Sequence, residues 1–516
     1  MNDTRQTSLA ELIKKVETLR AQGKKVIQTH GVFDLIHPGI ITHLRQAKAM
    51  GDFLVVTVIR DQHVRRGPGR PIFNENDRLA SVLSLDMVDL ACIVDDDMPF
   101  SCVRRIKPDI FAKGQSQKER DSRIHSKIFD EEREFYFGKA QIMETTGAGL
   151  SSSSILGQLG LIYTPEARAY LDSFRQRHSF MEICDHLDKF KGMKVLLIGD
   201  TIIDEYHYCL PCGKSAKSPI VVNKYVNHEV FGGGVAAIAN HMAGICSKVT
   251  LISMLGTENS YKDFLDTVLK PNVDAHFFMR ENTPTVMKKR YINPDRNQKL
   301  FEINYLDDSP LEAEIESDIL DMVREQAAEH DLVIVSDFSH GLLTPKIVQA
   351  IRDVARILAV NTQTNGANAG FNLITKYKTP NFVCLDEIEA RLALQDKHSA
   401  IEDIIQRLHQ RVQPEKMAIT LGKRGAIGID QNGETVWAPA ISSEVVDTVG
   451  AGDAFFSYTC LCHAIGLDMD LITFIGNAVG ALAVRIVGNK SSVEKYDLLQ
   501  YINALLRIDK LCPDQK

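Results

Sequence analysis

Apolar positions along this chain fall into two series. Between Val26 and about Gly160, short apolar runs (VIQT, FLVVTVI, VDLACIV, DIFAK and AQIMET) alternate with stretches of helical period such as ITHLRQAKAM and ENDRLASVLSL. Continuous apolar runs suit strands buried on both faces. Their alternation with helices predicts a small parallel sheet covered on both sides. A second series opens at 194-KVLLIGDTIID-204 and runs through VTLISMLG, LVIVSDFS, ILAVNTQ, FVCLDE and MAITLGKRGAIGID to a final pair of long apolar helices. Two β-like excursions interrupt it, from Tyr206 to Val230 and near 284–306 (PTVMKKRYI, QKLFEINYL). Such excursions predict a small sheet that covers a site on the main domain.

Between the two series, residues 161–190 have helical spacing, much charge and little Gly or Ser, and so predict a helical connector. The opening MNDTRQTSLAELIKKVETLR predicts a solvated amphipathic helix. The division is therefore an N-terminal helix (1–23), a first α/β domain (24–160), a connector (161–190) and a second α/β domain (191–516). Each α/β domain is expected to have three layers around a parallel sheet, and the second to carry a small β lid.

Composition narrows this only modestly. A chain of 516 residues is too long for one ordinary core. A net charge of -7 gives no reason to expect a nucleic-acid or anionic-membrane partner. No run reaches the roughly 18 apolar residues that span a bilayer. The ten cysteines form no framework, and Cys209-x-x-Cys212 lacks the second pair a structural zinc would need. Reduced thiols in a cytoplasmic protein are the expectation.

The most informative segment is 446-VDTVGAGDAFFSYTCLCHAIG-466. Glycines at a helix N-terminus let bare backbone N–H groups converge on an anion, with the helix dipole behind them. Asp453, in the same turn, can accept a proton from an attacking hydroxyl. This half resembles the ribokinase-like (PfkB) sugar kinases, whose signature D-T-x-G-A-G-D reads Asp447-Thr448-Val449-Gly450-Ala451-Gly452-Asp453 here. The resemblance covers essentially 191–516. It implies Asp453 as catalytic base and Gly450, Ala451 and Gly452 as anion hole. It also implies that Asp200, Asp204, Gly233 and Gly234, with Asn240, Lys288 and Asp453, hold the sugar. Thr420, Gly422 and Gly425, with Gly450 and Gly452, would lie beside ATP. Asp386 and Glu389 stand where the family's magnesium-associated N-x-x-E is found, which implies Mg²⁺ held through water. Two departures stand out: Ala237 replaces the Asn expected after the Gly-Gly turn, and 361-NTQTN-365 replaces D-P-K-G. Closer still is the kinase half of the bifunctional heptose-phosphate enzymes, through G-D-x-x-x-D-x-Y, 214-KSAKSPIVV-222, the K-x-R…Q-K-L pattern from Lys288 to Leu300, and 337-DFSHG-341.

The first half carries 29-THGVFDLIHPGIITHL-44. It resembles the cytidylyltransferase-like nucleotidyltransferases, whose G-x-F-D-x-x-H-x-G-H becomes Gly31 to Ile40 here. Arg60-Asp61, 67-GPGRPIFNENDRL-79, Lys113-Gly114 and 150-LSSSSIL-156 match the remaining motifs in order. The resemblance implies an HxGH-type, Rossmann-like domain that binds a nucleoside triphosphate through Gly31, Phe33, Asp34, His37, Gly39, Arg70, Lys113, Ser151, Ser152 and Ser153. His37 and Lys113 would be its catalytic cations. Such a reaction has an ionised sugar phosphate attack the α-phosphate, so the enzyme supplies positioning and positive charge. Ile40 stands where a second histidine would donate to the leaving group. Losing one such donor typically costs about 10²–10³ in rate. His43 lies one turn on, roughly 4.5 Å further along the helix, and is a weak substitute.

Together the motifs imply a bifunctional enzyme acting on sugar phosphates. ATP would phosphorylate the anomeric position of a heptose 7-phosphate-like sugar. An NTP (ATP or CTP) would then activate the sugar 1-phosphate, as in ADP-heptose biosynthesis, with the order of halves reversed. A homodimer through the lid is implied by resemblance. A monofunctional kinase with a non-catalytic first domain, and a scaffold with both sites silent, remain alternatives.

Overall fold

The structure is a computed structural model that describes residues 5–64, 70–95, 99–114, 141–145, 163–295, 298–366, 368–441 and 445–506. The chain divides into two compact units, one of residues 1–184 with 499–516 and the other of residues 185–498.

The first unit is built on five parallel strands in the order β3-β2-β1-β4-β5: β1 Val26–Gly31, β2 Phe53–Ile59, β3 Leu90–Val94, β4 Ile110–Gly114 and β5 Gln141–Thr145. Alternate strand residues feed two separate cores, which is what strands buried on both faces require. Ile27, Leu54 and Val56 meet the helices Pro38–Ala49 and Glu75–Leu83, while Val26, Val55 and Cys92 meet Leu9–Ala21 and Pro99–Ile106. The first helix is amphipathic as expected, with a charged face exposed and Leu12 and Val16 fully buried in the second of these cores. Ser8 caps it in a capping box with Glu11. The chain just before it pairs with the β3 edge through Thr7 N–H to Ala91 O and Ala91 N–H to Arg5 O. Residues 5–21 are thus an integral layer of the first domain. The connector is helical as expected, over Pro165–Arg177 and Phe180–Lys189.

The second unit has a nine-stranded sheet in the order β10-β9-β6-β13-β14-β15-β16-β17-β18. Its strands are β6 Lys194–Gly199, β9 Lys248–Glu258, β10 Val273–Pro284, β13 Leu332–Asp337, β14 Leu358–Thr362, β15 Phe382–Asp386, β16 Lys416–Thr420, β17 Ala426–Ile429 and β18 Thr435–Ala438. It is parallel except at the β16-β17-β18 end. The two excursions form a separate four-stranded sheet, β12-β11-β7-β8, from β7 Thr201–Lys214, β8 Val221–Gly234, β11 Met287–Asn293 and β12 Gln298–Tyr305. β7 follows β6 after a single residue, so the lid grows directly from the C-terminal end of a central strand. Ligands of open α/β sheets bind at that end.

Candidate active sites

The second unit holds a cavity of about 660 Å³ where the lid meets the C-terminal ends of the parallel strands. Its floor is the turn Thr448–Gly452 and the helix Ala451–Ala464. Gly450 caps that helix at φ +79°, and a Cβ there would stand 2.0 Å from Asn489 Oδ1. Only glycine fits this turn. Asp453, in the first helical turn, is buried, and burial with the nearby Asp204 pushes its carboxyl up to about 7 against the pull of Gln363 and Lys288. Gln363 Nε2 donates to its Oδ1 at 2.5 Å.

The lid contributes the opposite wall. Alternation along β7 and β11 points Asp204, Lys288 and Arg290 inward. Lys288 is buried over the Phe338 ring at 5.5 Å, and burial draws its ammonium below the usual lysine range. Arg290 pairs with Asp204 and, at 2.8 Å, with Glu302. Asn489 Nδ2 approaches Asp204 Oδ2 at 3.5 Å. Gly233 lies behind the wall, where a Cβ would meet Asp204 Oδ2 at 2.3 Å, so it leaves room for that carboxylate.

Thr420, Gly422, Gly425, Gly234, Ala451, Gly452, Asp386 and Glu389 also line the cavity. Glu389 and Asp386 form a capping box at the start of the helix Glu387–Leu394, and Glu389 Oε1 accepts from Thr364 N–H at 3.0 Å. Burial and the adjacent Asp386 push the Glu389 carboxyl up. Crowded carboxylates of this kind suit a hard cation completed by water and phosphate oxygens. Among the described residues no cluster of three or more His, Cys, Asp or Glu is placed to hold a metal by itself.

Besides Gly233, two more of the expected sugar ligands stand outside the cavity lining. Asp200 is buried, accepting from the Phe338 and His340 N–H groups at 3.1 and 3.3 Å, and so secures the 338–340 turn from below. Asn240 sits at the far end of the helix Val235–Ala243, donating to Val268 O and accepting from Lys270 N–H. Neither lines the cavity. The printed partners of both are backbone groups that hold local structure, so their place is beside the cavity rather than in its wall. Conversely, Arg290 of the K-x-R pattern and Gln363 of 361-NTQTN-365 line the cavity without having been assigned a role there, and Asn489 lies outside every motif. The inward alternation of β11 was a usable signal for Arg290; the other two come from loops without period.

In the first unit, His37 is the N-cap of the helix Pro38–Ala49, with Pro38 and the buried Gly39 in the first turn. The ring is buried, its Nδ1 has no partner among the described residues, and burial with the Arg70 charge holds the imidazole below its usual value. Asp34 accepts from the Ile72 and Phe73 N–H groups at 2.9 Å and lies 2.5 Å from Arg70 Nε. It therefore delivers Arg70 to His37. Gly31 lies against the ring of Phe33, a buried residue at φ +53°. Lys113 is half-buried near the end of β4, opposite Glu144 of β5. Ser151, Ser152 and Ser153 lie outside the described residues. Arg78, the last arginine of the 67–79 segment, is fully buried and donates to Val32 O, Ile59 O and Asp61 Oδ1 at 2.5–2.6 Å. It shares a helix face with Val82 of the core, and that spacing was a signal.

Ile40 packs against the apolar core that includes Ile27, Phe33 and Leu44. His43 is no substitute donor. Its Nε2 hydrogen-bonds Thr29 Oγ1 at 2.8 Å and its Nδ1 Thr145 Oγ1 at 2.6 Å, and burial depresses it to about 4. It ties β1 to β5 as a neutral ring.

A parallel α/β sheet, a β lid, a glycine turn and a buried carboxylate together define a phosphotransferase-like class. Residues 193–495, more than half of the chain, match the family model for pfkB family carbohydrate kinases. The chain belongs to that family. Residues 29–157 match the cytidylyltransferase-like family model. Among curated proteins, a bifunctional protein HldE from Koribacter versatilis is 26% identical over 313 residues, 60% of this chain and 63% of the relative. One from Helicobacter pylori is 26% identical over 325 residues, 62% and 69%. The chain thus spans less than two thirds of the first relative's length. Phosphofructokinase-2 from Escherichia coli in complex with potassium superposes with a TM-score of 0.50 at 15% identity, covering 61% of this chain and all of that one, a likeness of fold.

Proposed function

We propose that the chain is a bifunctional sugar-activating enzyme. Its second unit phosphorylates a sugar phosphate resembling heptose 7-phosphate at the anomeric hydroxyl, with ATP as donor. Its first unit transfers a nucleotidyl group from an NTP, ATP or CTP, to a sugar 1-phosphate and releases pyrophosphate. The kinase half rests on one observation: the buried Asp453 shares a cavity with the Gly450–Gly452 turn and the lid cations Lys288 and Arg290. The turn would hold the transferring phosphoryl group, and Asp453 would take the proton of the attacking hydroxyl. A hemiacetal hydroxyl is more acidic than an ordinary alcohol, which suits a carboxylate base. Asp204 and Asn489 would receive sugar hydroxyls. Asp386 and Glu389 would hold Mg²⁺ through water, and the ion would supply charge neutralisation at the ATP phosphates.

In the first unit the nucleophile arrives ionised and needs no base. Arg70 and Lys113 would supply positive potential around the triphosphate, and the His37 imidazole would donate an N–H to it. The packing of Ile40 into the core favours a second reading, in which this unit binds a nucleotide without turning it over and the protein is a kinase alone. A scaffold with both sites silent leaves the buried carboxylate Asp453 without a purpose. Exposed Phe301, Ile303 and Tyr305 on the lid's edge strand β12 support a homodimer through the lid. No helix among the described residues is long and apolar enough to cross a membrane, which agrees with a cytoplasmic enzyme.

Mass spectrometry of products from heptose and hexose phosphates with each NTP tests the proposal. A sugar 1-phosphate made by the wild type and lost in Asp453→Asn supports the kinase. Equal products from both proteins, or none from either, overturn it.

A further inference from the structure

Gln363 follows β14 in the segment 361-NTQTN-365, and its amide is the one hydrogen-bond donor on the Asp453 carboxylate among the described residues. The loop is held on several sides. Asn361 Nδ2 donates to Cys384 O at 2.8 Å, and Thr364 N–H donates to Glu389 Oε1 at 3.0 Å. The Gln363 carbonyl accepts from the side-chain amides of Asn368 and Asn372, both at 3.2 Å. Its backbone is therefore fixed before any ligand arrives, and the side chain points into the cavity.

The other groups acting on Asp453 are ionisable. Asp204 on β7 is a like charge and Lys288 on β11 is opposite, while burial pushes the Glu389 carboxyl beyond β15 and the Cys384 thiol in the middle of β15 toward their neutral forms. Repulsion from Asp204 and attraction to Lys288 would turn an untethered Asp453 away from the acceptor. A neutral donor at 2.5 Å resists that without cancelling the charge of the base.

We propose that Gln363 is a positioning residue for the kinase reaction, tying back Asp453 Oδ1 so that Oδ2 faces the acceptor hydroxyl. The inference rests on the phosphoryl-transfer reading above. In the step it serves, the acceptor O–H bond breaks as its oxygen bonds the γ-phosphorus. The proton passes to Asp453 Oδ2, and ADP leaves with the electron pair of the broken P–O bond. An amide suits this role because it orients the carboxylate while leaving its basicity high. A cation in its place would orient it too but make it a weaker base.

Two variants of the full chain test this with ATP, Mg²⁺ and an accepted sugar phosphate. Gln363→Leu keeps the bulk and removes the donor. It should lower kcat about 10–100-fold with the acceptor KM within about 2-fold, the loss expected for a misaligned base. It should also move the acidic limb of the kcat profile to higher pH, because the ionised carboxylate loses its donor. Gln363→Lys restores a donor with a charge. It should recover much of kcat and move the limb below that of the wild type. Unchanged kcat and limb in Gln363→Leu overturn the proposal, as does a loss in which kcat and KM follow a falling Tm. If no acceptor turns over, the phosphoryl-transfer reading fails and the catalytic role with it. Infrared titration of the protonated carboxyl missing in Asp453→Asn then reads the contact alone. An unchanged midpoint in Gln363→Leu shows that the contact is absent too.

Discussion

The Tyr206 hydroxyl on the lid donates to Asp447 Oδ2 at 2.8 Å, joining the lid sheet to the glycine turn. Lys299 of β12 reaches Oδ1 at 2.9 Å, and the N–H groups of Gly488 and Val449 complete the set at 2.9 and 3.2 Å. The first acid of D-T-V-G-A-G-D is thus a strut with its lone pairs occupied. Burial alone would push its carboxyl up; Lys299, Gly488 and Tyr206 outweigh burial and hold it below the usual value.

Asp447→Ala should therefore act on stability and on acceptor binding together. It leaves the Tyr206 hydroxyl and the Gly488 N–H without their partner, at a cost of about 1–3 kcal/mol for each group that stays buried. The urea midpoint should fall, and the acceptor KM should rise as the lid loosens. Because the folded carboxyl lies below its unfolded value, its contribution is present above pH 4 or so and is lost as pH falls through the folded value. The stability difference between wild type and Asp447→Ala should therefore narrow in acid. A difference independent of pH between 3 and 7 contradicts the strut.

Asp453 sets the pH dependence of the kinase. With its carboxyl pushed up to about 7, the base is increasingly protonated and inactive as pH falls below neutrality. The rate should fall about tenfold per pH unit below that point. Asp453→Asn should lose this limb and about 10²–10⁴ in kcat while keeping its circular dichroism and Tm. A wild-type profile flat from pH 5 to 8 shows that another group governs the step.

Both sheets were legible because buried strands announce themselves as short apolar runs, and Gly450–Asp453 because a glycine turn ahead of an apolar helix has few other uses. Asp200, Asn240 and His43 were less legible. Each is polar and stands near a motif, yet each is bound by a partner distant in sequence, as with Asp200 and the 338–340 turn. Spacing shows which residues share a face, not which polar atoms are already bonded. The N-terminal helix showed its amphipathic period but not its partner: Leu12 and Val16, with the half-buried Leu9, Ile13 and Leu19, dock it on the first sheet while its charged face stays exposed.

His43 predicts acid sensitivity in the first unit. The folded imidazole titrates near 4, below its ordinary 6.5, so the unfolded chain binds the proton more readily. Stability is complete above about 6.5 and falls as pH drops toward 4, by roughly 3 kcal/mol at about 1.4 kcal/mol per unit. His43→Gln, which keeps hydrogen-bonding capacity without titrating, should flatten this slope in urea unfolding followed by a first-unit probe. If the slope is unchanged, His43 is protonated in the folded protein or is not the titrating group.

Ile40 decides whether the first unit is a transferase. Its side chain packs against the core of the first sheet, and it is only partly buried, so an imidazole at this position keeps access to the edge of the core. Ile40→His should cost a modest amount of stability, about 1–2 kcal/mol for the lost apolar packing. In return it places a second donor one helical turn from His37. If the fold is otherwise competent, pyrophosphate release with a sugar 1-phosphate and NTP should rise about 10²–10³-fold. His37→Ala should abolish release in both backgrounds, because it removes the imidazole donor at the start of the helix Pro38–Ala49. A wild type already as fast as Ile40→His means that Arg70 and Lys113 suffice and the missing donor does not matter. No release from either protein, with nucleotide still bound, leaves a kinase joined to a nucleotide-binding domain.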